Sequence, residues 1–354
     1  MLKRRIKWIF YFAAPLAILI IPFSGGLNLG KYFNTIVLQP QKTGITTFNF
    51  FDSQRNRPVV TEVWYPVDPE SPAKTPPGFW LRCDEARDAA LSTKKSKYPL
   101  IMMSHGSGGD RYNISWLAEV FAANGYIVAA MDHFGNTWNN KIPEAYAKPW
   151  ERPKDISFVL DQLLSNSSFK EHIDLNRIGF VGYSLGGATG IWIAGAEAMD
   201  LNSECVKENA TADLAGIATP DLFEKIDFKE AAGSLRDPRI SVVMVMAPAL
   251  GWMFEQSSLE KIDIPVFIVA PETDHVVPTE KNARIFASKI ARSTLKILPG
   301  EATHYVFLAR ANAIGKRFLD PRYCEDPASI DRKKLHDEIA KSSILFFDDK
   351  LSRK

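Results

Sequence analysis

The hexapeptide Gly182-Tyr183-Ser184-Leu185-Gly186-Gly187 is where residue types and spacing in this chain first point to chemistry. A short, mostly apolar run, Arg177-Ile178-Gly179-Phe180-Val181, precedes it, and a small-residue stretch over 188–194 follows. The order reads as strand, sharp turn, helix. Such a turn holds its middle residue in strained backbone geometry, and the flanking glycines bring no Cβ to the crossing, so Ser184 would stand at the top of a sheet with its hydroxyl exposed. A serine hydroxyl is a weak nucleophile at neutral pH. It needs a base within hydrogen-bond reach, and the base needs a group that fixes its orientation.

Six histidines compete for the role of base: His105, His133, His172, His275, His304 and His336. His304 follows the last apolar β-rich run, 294–298, so its loop belongs at the same sheet edge as Ser184. His172 precedes the nucleophile strand and falls at the opposite end, and His336 lies in a charged helical stretch and is expected to face solvent. The orienting acid should leave the preceding strand, 265–270, whose exit is Pro271-Glu272-Thr273-Asp274-His275. Asp274 is the choice because the turn presents it just before the chain re-enters an apolar run, with Glu272 as the rival. The exit of the strand at 240–246 contains no acid.

A tetrahedral intermediate also needs preorganised donors for its oxyanion. The Leu185 amide, at a helix start directly after the serine, is one. The second is expected from the Gly-rich loop Ser104-His105-Gly106-Ser107-Gly108-Gly109, at the amide of Ser107 with Gly106 as alternative; His105 is read as a brace for that loop.

These groups meet only if the elements between them build one sheet. Residues 44–51 and 58–65 read as a hairpin expected to form one sheet edge, 99–103, 126–131, 240–246, 265–270 and 294–298 as strands, and 116–124, 155–164, 279–291 and 331–350 as helices. Residues 67–97 contain four prolines and read as an irregular surface connection, and 201–238 as a polar insertion or small lid. Strands alternating with helices predict an α/β chain with a mostly parallel central sheet covered on both faces.

Composition sets the outer limits. The chain has 354 residues, of which 46% are hydrophobic, enough for one large domain over 27–354. Lys and Arg number 43 against 41 Asp and Glu, a net charge of +2, which offers no basic stripe for a nucleic-acid partner. Residues 1–26 are different: Lys3, Arg4, Arg5 and Lys7 precede an apolar run over 8–23 and then Ser24-Gly25-Gly26. That is the layout of an export signal, and the core is short against the roughly 20 apolar residues of a membrane span. It predicts an exported protein, periplasmic or secreted, or anchored in the inner membrane through residues 1–23. Cys83, Cys205 and Cys324 match no metal spacing and leave one disulfide or three free thiols equally open. Asn113, Asn166 and Asn209 begin glycosylation-type triplets, which carry little weight in a chain of this length.

The order Ser184, Asp274, His304, with the 104–109 loop upstream, resembles the α/β-hydrolases. Within them the chain is similar to bacterial exported proteins named as predicted dienelactone hydrolases, relatives of platelet-activating-factor acetylhydrolases. The residues that carry this are 104–109, the segment 125–133 ending in Asp132-His133, Arg152-Pro153 with Asp155, the 182–187 elbow, and the Asp274 and His304 loops, so the likeness covers about residues 44–310. It implies a serine hydrolase that cleaves carboxylic esters, on small-molecule or lipid substrates, through an acyl-enzyme and without a cofactor. Amide or peptide cleavage, lipid hydrolysis at a membrane surface and a non-catalytic binding module are the other readings. Two departures stand out: dienelactone hydrolases use a cysteine where this chain has Ser184, and the acetylhydrolases place the acid after the strand that here exits without one.

Overall fold

In the computed structural model, residues 36–202, 204, 206 and 220–352 are described. The leader reading of residues 1–26, Cys205, the Asn209 triplet and part of the proposed lid, 207–219, lie outside them. Nine strands form one sheet: β1 (Lys42–Asp52), β2 (Arg57–Tyr65), β3 (Asp84–Arg87), β4 (Tyr98–Ser104), β5 (Ile127–Met131), β6 (Ile173–Tyr183), β7 (Val242–Met246), β8 (Val266–Pro271) and β9 (Ser293–Leu298). Their order across the sheet is β9-β8-β7-β6-β4-β5-β2-β1-β3. β2 pairs antiparallel with both β1 and β5, and the other neighbours pair parallel.

β4 explains why the sheet has helices on both sides. Every one of its residues is buried, with Leu100 and Met102 in one apolar cluster and Ile101 and Met103 in the other. Alternate side chains point to opposite faces, so an unbroken apolar run buries both. On the first face lie α2 (Glu151–Asn166), through Ile156, Val159, Leu160 and Leu163, α3 (Leu185–Ala194) and α4 (Ala283–Lys289). On the second lie α1 (Ser115–Ala123), through Leu117 and Phe121, and α5 (Arg332–Lys350), through Ile339, Ile344 and Phe347.

Four expectations change. The hairpin is not the sheet edge, because β3, inside the connection expected to be irregular, pairs parallel with β1 and covers it. The segment read as one helix over 279–291 is a 3₁₀ turn, Thr279–Lys281, followed by α4, with Asn282 (φ −132°, ψ −86°) breaking it between them. The described part of 201–238 packs down, with Leu222, Phe223, Ile226 and Phe228 buried and Phe228 against Trp150. His336 is buried rather than solvent-facing. Its ring stacks on Trp116 at 3.8 Å, and its Nε2–H donates to the Val306 carbonyl at 2.7 Å.

The α3 glycines let the elbow approach the sheet. A Cβ at Gly186 would fall on the Ser104 carbonyl and one at Gly187 would come within 2.7 Å of the Pro248 backbone. Alanine would gain roughly 1 kcal/mol of helix propensity over glycine. Backbone cannot move aside as a side-chain tip can, so the clash wins. Gly186→Ala is expected to lower unfolding free energy by about 2 kcal/mol in urea titration; an unchanged midpoint would contradict this packing.

His336 supplies a second expectation. Burial pushes its imidazole down to about 3. The unfolded chain then binds a proton below about 6.5 that the folded chain refuses, so this stability is complete above that pH and is lost as pH falls. Between pH 7 and pH 5 the protein should lose on the order of 2 kcal/mol relative to its His336→Gln variant. Parallel stability curves for the two would refute it.

Candidate active site

All parallel strands end at one edge, and the loops that leave their carboxyl ends share that rim. Ser184 follows β6, Asp274 follows β8 and His304 follows β9, in a 3₁₀ turn over His304–Phe307. The fold brings the three side chains together. Ser184 Oγ lies 3.0 Å from His304 Nε2, and His304 Nδ1 lies 2.6 Å from Asp274 Oδ2. A carboxylate only accepts, so Nδ1 carries the proton and donates to Asp274, and Nε2 is left to accept from the Ser184 hydroxyl. The other carboxylate oxygen of Asp274 accepts from the Val276 and Val277 amides, both at 2.8 Å. Glu272, the rival acid, is exposed and accepts from the Gly300 amide instead.

Ser184 has φ +55° and ψ −116°, in the left-handed half of the map that side chains with a Cβ avoid. Its amide donates to the Met246 carbonyl at 2.9 Å, and its carbonyl accepts from the Gly187, Ala188 and Ala249 amides. The surroundings therefore over-determine a strained residue, and its hydroxyl reaches His304 while the residue stays 6% exposed. The His304 turn is held from behind by the His336 bond to Val306 and by Trp116 Nε1–H donating to the Phe307 carbonyl at 2.8 Å. Tyr183 O–H donates to the carbonyl of His304 itself at 3.0 Å.

The Gly-rich loop passes beside the serine. A Cβ at Gly106 would lie 3.3 Å from the Ser184 Cβ. Leu185 opens α3, so its amide has no acceptor within that helix. The Leu185 and Ser107 amides thus belong to the two backbone segments that meet at Ser184. Of the aromatic residues near this rim, Trp138 is 60% exposed and donates to Asp110, whereas Phe254 packs between Trp192 and Phe286 in the core. His172 and His275 are exposed and outside the cluster. Among the described residues Cys83 and Cys324 are free, and no group of His, Cys, Asp and Glu is arranged to hold a metal ion.

Sequence reasoning missed a second buried assembly directly beneath the loop. His133 Nδ1–H donates to Asp155 Oδ2 at 2.9 Å, and its Nε2 accepts from Ser104 Oγ–H at 2.9 Å. The His133 amide donates to His105 Nε2 at 3.2 Å, which leaves His105 Nδ1–H to donate to the Gly106 carbonyl at 2.7 Å. Burial holds both imidazoles well below the usual histidine range, and both are neutral. Burial also pushes Asp155 up to about 6, against the pull of Arg55 at 2.8 Å. The segments Asp132-His133 and Arg152-Pro153 with Asp155 were visible as family-like features, but no local pattern connected them to the loop.

The family described as platelet-activating factor acetylhydrolase, isoform II, matches residues 80–139, which hold the 104–109 loop. Cutinase est1 of Thermobifida alba is 24% identical over 238 residues, 64% of this chain, and the match spans 62% of that protein. Dipeptidyl-peptidase 5 of Porphyromonas gingivalis is 30% identical over 111 residues, 29% of this chain and 15% of its own length. Among solved structures, a ferulic acid esterase from Streptomyces cinnamoneus superposes with a TM-score of 0.59 at 18% identity, covering 89% of this chain and 94% of that one. The neighbour shares the mostly parallel sheet and its helices, and the loops at the carboxyl ends of β4, β6, β8 and β9 converge on one serine. The chain thus has the α/β-hydrolase fold.

Proposed function

We propose that this protein hydrolyses carboxylic esters through an acyl-enzyme on Ser184. The observation that carries the reading is the continuous hydrogen-bond chain from Ser184 Oγ through His304 to Asp274, at 3.0 and 2.6 Å, on a serine held at positive φ. In the first step His304 Nε2 takes the hydroxyl proton while Oγ attacks the acyl carbonyl carbon. The carbonyl oxygen gathers negative charge and is met by the Leu185 and Ser107 amides. The C–O bond to the alcohol then breaks, and His304 returns the proton to the leaving oxygen. Water repeats the sequence on the acyl-serine, releasing the acid and restoring Ser184. Asp274 holds the imidazole in the tautomer that this cycle needs and stabilises its cation. Each oxyanion donor contributes roughly 3 kcal/mol to lowering the barrier.

The similarity to a cutinase and to a ferulic acid esterase supports ester over amide substrates, of small-molecule or lipid type. The dipeptidyl-peptidase similarity supports amide cleavage as the second reading, because the same three groups serve both reactions. The leader supports export, with residues 1–26 removed or kept as an anchor that associates with the membrane through 1–23. N-terminal sequencing of the protein recovered from its producing cells decides between them.

Ser184→Ala should lower kcat/KM for p-nitrophenyl acetate by about 10⁴-fold or more with an unchanged far-UV spectrum. Asp274→Asn should lower kcat by about 10³–10⁴-fold, because an amide at the Oδ2 position favours the wrong tautomer. A Ser184→Ala protein with wild-type turnover would sink the assignment. A series of acyl chain lengths run beside aminoacyl p-nitroanilides separates ester from amide cleavage.

A further inference from the structure

The hydrolase mechanism leaves the buried cation of Arg152 unused. Arg152, in the first turn of α2, is 3% exposed, and its guanidinium makes no hydrogen bond to a carboxylate. Nη1–H donates to the His105 carbonyl at 2.6 Å, Nη2–H to the Gly106 carbonyl at 3.1 Å and to Asn136 Oδ1 at 3.2 Å, while Nε–H has no partner. Burying a cation against neutral acceptors, with one donor unsatisfied, is costly, and it persists only where the geometry it enforces matters. Burial lowers this guanidinium to about 9, so it remains charged at neutral pH.

The two carbonyls it grips belong to consecutive peptide units of the Gly-rich loop. In a planar trans peptide the C=O of one residue and the N–H of the next point in opposite directions. All peptide bonds among the described residues are trans. Fixing the Gly106 carbonyl on Arg152 therefore turns the Ser107 N–H the other way, and fixing the His105 carbonyl does the same for the Gly106 N–H. Three further contacts hold the same loop. His105 Nδ1–H shares the Gly106 carbonyl at 2.7 Å, and its ring is fixed by the His133 amide. Asn136 Oδ1, held by Arg152, accepts from the Gly108 amide at 2.9 Å. His133 is in turn pinned between Ser104 and Asp155, and Asp155 by Arg55.

We propose that Arg152 is a positioning residue whose two-pronged grip on the His105 and Gly106 carbonyls aims the Ser107 amide at the oxyanion, with Asn136 and His105 completing the clamp. The inference rests on the ester-hydrolase reading for its kinetic consequence but not for its structural one. A fork with two parallel donors is what spans adjacent carbonyls, so lysine is not an equivalent.

The test compares Arg152→Met, Arg152→Lys and Asn136→Ala with the wild-type protein. For Arg152→Met, kcat/KM for p-nitrophenyl acetate should fall about 100-fold, the loss that accompanies removal of one oxyanion donor. Inhibition by phenylboronic acid, whose tetrahedral serine adduct places an oxygen at the same donors, should weaken by a similar factor. Arg152→Lys and Asn136→Ala should each give intermediate losses, about 10-fold, in both measurements. A purely structural role would lower the melting temperature while leaving boronate inhibition of the folded fraction unchanged. An Arg152→Met protein with a native far-UV spectrum, and with kcat/KM and boronate affinity within threefold of wild type, overturns the proposal. If Arg152→Met does not fold, Asn136→Ala decides, and unchanged values there overturn it equally. Hydrogen–deuterium exchange gives a readout independent of turnover: the peptide spanning 104–110 should exchange faster in Arg152→Met while 266–271 does not, and equal rates refute the clamp. Failure of the hydrolase reading would look different, as an inactive wild-type protein indistinguishable from Ser184→Ala, with the exchange difference still present.

Discussion

The backbone at Ser184 cannot relax, and the arrangement of the site follows from that. Its φ of +55° carries a steric cost on the order of 1–3 kcal/mol for a residue with a Cβ. It is maintained because β6 enters and α3 leaves in tight contact. The Gly186 position lies against the Ser104 carbonyl, the Gly187 position against Pro248, and the Ser184 amide is tied to Met246 on β7. A side chain at either glycine would force strand and helix apart and release the strain. Held there, the hydroxyl projects toward His304 and the following amide opens a helix, so both groups come from one turn.

The remaining groups reach the serine through sheet topology. β4, β6, β7, β8 and β9 run parallel, so their carboxyl ends form a single rim, and chemistry-bearing loops far apart in sequence are delivered to it. Two of these loops are then locked by bonds from the second layer of the fold. Trp116 on α1 and His336 on α5 hold the His304 turn from one face of the sheet, and Arg152 on α2 holds the 105–106 carbonyls from the other. The helices thus do more than cover apolar strands: one polar side chain from each of these three reaches over the edge and fixes a loop of the site.

Buried polar groups carry much of this work, and they are arranged in pairs whose protonation states agree. Asp274 accepts from His304 and from two amides, and His304 is left with an acceptor nitrogen toward the serine. Ser104, His133 and Asp155 repeat the same sequence of contacts in the interior, with Ser104 fully buried. Access of the serine to the rim, and its strain, separate the two clusters.

The strand and helix order was legible in the sequence because apolar periodicity and glycine placement are local. The elbow at 182–187, the Gly-rich loop at 104–109 and the alternation of buried runs all lie within short windows, and the serine-acid-histidine order narrowed six histidines to His304. What lay beyond local reach depended on distant partners. β3 is a strand because β1, some 40 residues earlier, offers it an edge to pair with. His336 is buried because α5 packs on α1 and presents it to Trp116, although its neighbours in sequence are charged. Asp274 rather than Glu272 faces His304 because the Val276 and Val277 amides turn its carboxylate inward. Arg152 meets a loop 47 residues away. The sequence by itself determined which backbone segments could be strand, elbow or helix, since those are settled by near neighbours. Only the tertiary structure decided which polar side chains meet, since a hydrogen bond is set by angstroms and angles that chain separation does not encode.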